Sequence, residues 1–211
     1  MEVRPWPSLL LVGPTGSGKS PLGDELEGRG FFGRRCVHFD FGSNLRAIAA
    51  APERVNVLTA TEFESVRTSL ETGALFEDKD MPMIVKIVER FAEARCLTRD
   101  SLLVLNGLPR HRRQAEGLAG VVVVERVIQL EAPAPVIRER IRLDPGGDRA
   151  TRADDGLKAV ERRLSVFRER TVPLVSYYRE RGALIVEIPV TPSMTAAEAY
   201  QSLIERVSID P

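Results

Sequence analysis

The run Leu9-Leu10-Leu11-Val12 leads directly into Gly13-Pro14-Thr15-Gly16-Ser17-Gly18-Lys19-Ser20, and no other feature restricts the fold so tightly. The apolar residues read as a buried strand. Those after them fit G-x-x-x-x-G-K-[ST] in full, the pattern of a loop that wraps phosphate. Three glycines let the backbone wind tightly enough to aim successive N–H groups at one point, and the N-terminus of the next helix adds partial positive charge. Residues Pro21 to Glu27 can form that helix, because proline is tolerated in a first turn. The pattern therefore demands strand, loop and helix in that order, with a nucleotide as ligand. Lys19 would span the β- and γ-phosphates, and the Ser20 hydroxyl would reach Mg²⁺.

The rest of the chain repeats this alternation. Apolar runs recur at 36–39, 102–105, 121–130 and 183–188, separated by segments of helical period. Such alternation implies a parallel sheet covered on both faces, here a three-layer α/β P-loop NTPase fold with five parallel strands. Ile84, Ile87, Val88 and Phe91 fall at i, i+3, i+4 and i+7, marking a core-facing helix with Pro82 in its first turn. Pro135 opens another, in which Val136, Ile137 and Ile141 are the apolar face. A third runs over 157–178 with an interruption near Pro173, and a last one follows Thr195. A chain of 211 residues suits one such domain over 1–211 rather than two full-sized enzymatic units. Two stretches leave the core as candidate lids: a helical and loop insertion at about 40–76, and a short Pro/Gly/Asp-rich loop at about 143–155.

Composition mainly excludes. With 30 basic and 30 acidic residues the net charge is zero, so no electrostatic argument favours nucleic acid or a membrane surface as partner. No apolar run approaches the ~20 residues of a membrane span, and residues 1–12 lack the basic and apolar regions of a secretion signal. A cytoplasmic protein is expected. Cys36 and Cys96 form no C-x-x-C pair and are expected to be reduced and buried; His38 and His111 are too few for a metal cluster.

Four further segments, in order, resemble the nucleoside monophosphate kinases, and adenylate kinases in particular. Asp40-Phe41-Gly42-Ser43-Asn44-Leu45-Arg46 is similar to that family's S-T-G-D-x-L-R segment. Gly73-Ala74-Leu75-Phe76-Glu77-Asp78 resembles its G-x-L-V-x-D turn, and Asn106-Gly107-Leu108-Pro109-Arg110 with Gln114 resembles D-G-F-P-R-x-x-x-Q. Arg152-Ala153-Asp154-Asp155 with Arg163 resembles the R-x-D-D segment and the second arginine of a closing lid. The likeness runs from Leu9 to about Ile188.

The resemblance implies a monomeric enzyme that transfers the γ-phosphoryl of ATP, with Mg²⁺, to a nucleoside monophosphate, foremost AMP. It implies that Gly13, Gly16, Ser17, Gly18, Lys19 and Ser20 bind ATP, with Arg140 either stacked on the donor adenine or simply exposed on its helix. Phe41, Gly42, Arg46, Ala74, Leu75, Phe76, Gly107, Arg110 and Gln114 would hold the acceptor. Lys19, Arg110, Arg152 and Arg163 would act on the migrating group, and Ser20 and Asn106, the latter through water, would serve the metal. Converging guanidinium groups suit a transition state whose charge spreads over equatorial oxygens. The Gln114 amide offers the donor and acceptor that an adenine edge needs.

Departures from the pattern carry information too. Phe41 stands where threonine is usual, to pack against the base or narrow its pocket. Asn106 replaces an aspartate; its amide can accept from metal-bound water but adds no charge. Asp144 stands where a lid arginine is usual, a role that Arg142 or Arg149 can take. The short lid has no cysteine or histidine, so no structural zinc is expected. A kinase for another small acceptor (UMP, CMP or a metabolite) and a regulatory nucleotide-binding module with weak or no catalysis stay open.

Overall fold

The computed structural model describes residues 5–50, 58–147 and 157–209. Strands β1 (Trp6–Val12), β2 (Cys36–Asp40), β3 (Leu102–Asn106), β4 (Val122–Glu131) and β5 (Leu184–Pro189) form one sheet in the order β2-β3-β1-β4-β5, with every adjacent pair parallel. Side chains alternate between the two faces of a strand, so neighbouring residues feed different cores. Leu10 and Val12 join Phe39, Leu103, Leu105 and Val127 on one face; Leu9 and Leu11 join Cys36, Leu102, Val104 and Ile128 on the other. β1 and β3 lie inside the sheet and are buried on both sides, which explains their unbroken apolar sequence.

Helices α1 (Lys19–Arg29) and α9 (Ala196–Ile209) close the second core with Leu22, Leu26, Leu203 and Val207. The first core is closed by α2 (Phe41–Ala50), α3 (Ala60–Thr72), α4 (Met81–Ala94), α5 (Arg112–Leu118) and α8 (Pro173–Arg179), through residues such as Leu45, Val66, Ile84, Leu118 and Leu174. α6 (Ala134–Leu143) and α7 (Leu157–Val166) lie between β4 and α8 in the chain. The expected break near Pro173 is a π-turn at Phe167–Thr171. The carboxyl ends of β1, β2 and β3 lead into the phosphate loop, α2 and the Gly107 turn, and such strand ends are where open α/β sheets collect ligands.

Both cysteines are free. Cys36 is buried, and burial pushes its thiol pKa up to about 12. Cys96, expected to be buried, is exposed: it lies beyond the end of α4 with φ 48°, in the tight turn that returns the chain to the core at Leu97. Among the described residues no helix is long and apolar enough to cross a membrane.

Candidate active site

The phosphate loop takes the shape its glycines permit. Gly16 and Gly18 have φ of 80° and 96°, in the left-handed region that disfavours other residues. At Gly18 an added Cβ would also lie 3.0 Å from Arg140 Nη2. Beneath the loop the buried Ser17 hydroxyl packs against Gly13, where a Cβ would come within 2.6 Å of it. Lys19 folds back over the loop, its Nζ donating to the carbonyls of Gly13 at 2.7 Å and Pro14 at 2.9 Å. This cradle forms one wall of a crevice of about 1380 Å³, which Arg46, Arg110, Arg163 and residues 74–76 also line.

Next to Ser20 stands a carboxylate that the sequence motifs did not single out. Asp40 ends β2 in register with Asn106 at the end of β3. The Ser20 hydroxyl donates to Asp40 Oδ2 at 2.6 Å, and Asn106 Nδ2 donates to the same oxygen at 2.9 Å. Asp40 Oδ1 accepts the Ser43 N–H at 2.8 Å. Burial works to raise the Asp40 pKa, but these donors from Ser20 and Ser43, with His38 and Arg46 nearby, hold it below the usual carboxylate value. A hydroxyl and an ionised carboxylate side by side at the end of a phosphate loop are hard oxygen donors, the set that fits Mg²⁺. Asn106 turns its amide nitrogen toward them, 3.0 Å from Ser20 Oγ and 3.4 Å from His38 Nε2. An ionised Asp40 carboxylate can only accept, so the side of Asn106 that faces it and Ser20 donates rather than accepts. A sequence signal for Asp40 did exist: it is the first charged residue after an apolar run, at a strand end beside the phosphate strand.

Where the sequence predicts the acceptor, Phe41 is buried and its ring meets Phe76 edge-on at 5.8 Å, with Phe39 at 6.0 Å behind it. Arg46 donates to Ser43 Oγ at 3.1 Å, and Arg110 Nε to the Gly107 carbonyl at 2.9 Å. Arg110 lines the crevice, where desolvation lowers its pKa and the charge on Asp40 opposes that shift. Gln114, expected to read adenine, lines the crevice with its amide already engaged by backbone groups. It is buried, its Nε2 donating to the Phe76 carbonyl at 2.9 Å and its Oε1 accepting the Arg110 N–H at 2.8 Å. Both ends of the amide thus tie the turns at Phe76 and Arg110 together, because a buried amide must satisfy its own donors and acceptors first. Outside these turns Arg170 grips Glu77 with two bonds of 2.6 and 3.0 Å, and Thr171 Oγ1 donates to the Arg110 carbonyl at 2.9 Å.

No family model matches the chain. An adenylate kinase from Methanosarcina acetivorans is 30% identical over 208 residues, covering 84% of this chain and 89% of its own length. The chain belongs to the adenylate kinase family. An adenylate kinase from Stenotrophomonas maltophilia is 30% identical over 185 residues, with 83% and 87% covered. Among solved structures, a gluconokinase from Sinorhizobium meliloti superposes with a TM-score of 0.55 at 16% identity, over 98% of this chain and 94% of that one. A sugar kinase from Janibacter gives 0.51 at 14%, over 98% and 97%. At those identities the likeness is one of fold.

In this adenylate kinase relative Arg140 is not exposed on its helix, and it lines the crevice. It is buried on α6, with Nε on the Gly16 carbonyl at 3.1 Å and Nη1 on those of Thr191 and Met194 at 2.6 and 2.9 Å. The guanidinium pins the phosphate loop to the segment before α9. Asp144 ends α6 with φ 44°, and Arg142 pairs with Glu139 at 2.6 Å on the exposed side of that helix. Arg163, half-buried on α7, lines the crevice. Arg149 and Arg152 lie outside the described residues.

Proposed function

We propose that this chain transfers the γ-phosphoryl group of ATP to a nucleoside monophosphate, with AMP the preferred acceptor, and that the loop at about 143–155 serves as a short lid. The observation that carries this reading is the shared crevice: the phosphate loop and the Arg46–Arg110 pair line one cavity from different strand ends. Two phosphate chains bound there would face each other, and positioning with charge neutralisation is what phosphoryl transfer chiefly needs. The adenylate kinase relatives support the same acceptor.

In this account Lys19 exchanges its two carbonyl partners for phosphate oxygens. Arg46 holds the acceptor's phosphate, and Arg110 and Arg163 stabilise the charge on the group in flight, joined by Arg152 from the lid. Magnesium bound with the nucleotide would supply charge neutralisation of the phosphates. Ser20 and Asp40 are the residues fitted to hold it, with the Asn106 amide keeping that carboxylate in place. Lid closure would exclude water as a competing acceptor.

The test is ADP formation from ATP·Mg²⁺ with AMP, CMP, UMP, GMP or gluconate offered singly. AMP should react fastest, and Lys19→Met should lower its turnover on the order of 10²–10³-fold through loss of a transition-state contact. Turnover with gluconate alone, or with no monophosphate, overturns the proposal. A second reading, transfer to a differently shaped small acceptor, is favoured by the engaged Gln114 amide and the apolar Phe41–Phe76 wall. It predicts near-equal rates across the four bases.

A further inference from the structure

Asp40 and Asn106 occupy equivalent places at the ends of neighbouring parallel strands, paired in register, and both side chains reach Ser20. Only one of the two carries charge. Asn106, at the end of a strand buried along its whole length, gives a hydrogen to the Asp40 carboxylate and is itself backed by the His38 ring. That ring is held in turn by Asp24, whose Oδ1 lies 2.8 Å from His38 Nδ1. We propose that the metal-holding carboxylate of this site is Asp40 on β2, and that Asn106 is a positioning residue that keeps its Oδ2 directed at Ser20.

This rests on reading the crevice as a magnesium–nucleotide site. The physical case is one of spacing. Two carboxylates within hydrogen-bond distance of each other repel and compete for a proton, whereas a carboxylate and an amide at that distance attract and leave the charge whole. Mg²⁺ in phosphate-transfer sites keeps several waters and takes only one or two carboxylates besides the phosphates, so a single aspartate beside the phosphate-loop serine is a sufficient protein contribution. Asp40 is the carboxylate bonded to that serine, at 2.6 Å. The charge that Asn106 lacks is supplied one strand away.

The proposal is tested by metal binding without turnover. Mn²⁺ replaces Mg²⁺, the β,γ-imido analogue of ATP occupies the donor site, and free Mn²⁺ is read by electron paramagnetic resonance. Asp40→Asn should weaken Mn²⁺ binding to the protein–nucleotide complex by about 10–100-fold, the range typical of a metal's supporting groups. Its affinity for the analogue in EDTA should hold or rise. The exchanged variant Asp40→Asn/Asn106→Asp restores one charge and one amide to the same pair, and should recover most of the lost Mn²⁺ affinity. An Asp40→Asn protein that binds analogue and Mn²⁺ like the wild type overturns the assignment but leaves the nucleotide site standing. Equal loss of analogue affinity with and without metal, unrelieved by the exchange, shows a structural role and also overturns it. A wild-type protein that binds no analogue under either condition overturns the nucleotide reading and this proposal together.

Discussion

Gly23 shows how a single position on α1 governs the corner beneath Ser20 and Asp40. A Cβ built there would overlap the His38 ring, which Asp24 holds on one side and Asn106 meets on the other. Alanine is the better helix former by about 1 kcal/mol, whereas overpacking a site whose neighbour cannot swing away costs about 1–3 kcal/mol. The steric term should win. Gly23→Ala is expected to lower stability by about 1 kcal/mol net, read as a lower urea midpoint at unchanged slope. The sequence announced the phosphate loop at this scale because its motif is contiguous. Asp40 meets Ser20 and Asn106 only across strands, the Gln114 amide is spent on turns that close in three dimensions, and Arg140 is buried by a segment some fifty residues later. Local spacing does not encode such partners.

At the scale of elements, the strands and the long amphipathic helices were legible because hydrophobic period fixes them. The seven-residue α5 was not, being too short to show a period. The break near Pro173 was visible, but its form was not. Proline has no N–H for the carbonyl four residues back and its ring crowds that carbonyl, so the turn widens and the Val172 N–H reaches the Phe167 carbonyl at 3.0 Å. The widened turn carries Arg170 to Glu77, linking α7 and α8 to the turn that follows Gly73. The Arg170 hydrogen bonds, opposed by some desolvation, lower the Glu77 pKa from 4.5. A depressed folded-state pKa means the contribution is complete above about pH 4.5 and fades as pH falls through the lower folded value. Because the pair is half exposed, Glu77→Gln should cost only about 0.5–1 kcal/mol at pH 7. Thermal melts of both proteins should converge as pH falls below the lowered folded-state value, and at pH 7 the gap should narrow in high salt.

For the molecule as a whole, five parallel strands with helices on both faces followed from the alternation of apolar runs, but the order β2-β3-β1-β4-β5 did not, since pairing between distant strands leaves no local trace. Arg140 belongs to this scale. One buried side chain joins Gly16 near the start of the chain to Thr191 and Met194 near its end. Arg140→Ala should cost about 2–3 kcal/mol, because charge-assisted bonds are lost and buried carbonyls go unpaired. ATP affinity should fall with it, although no phosphate contact has been removed; a melt and a nucleotide titration on the same sample check both. With the arginine in place, the phosphate loop enters each binding event already shaped. The disorder that a slack loop would surrender on meeting ATP has been surrendered during folding, so binding should proceed without an ordering phase and with a heat-capacity change set by the surface ATP covers.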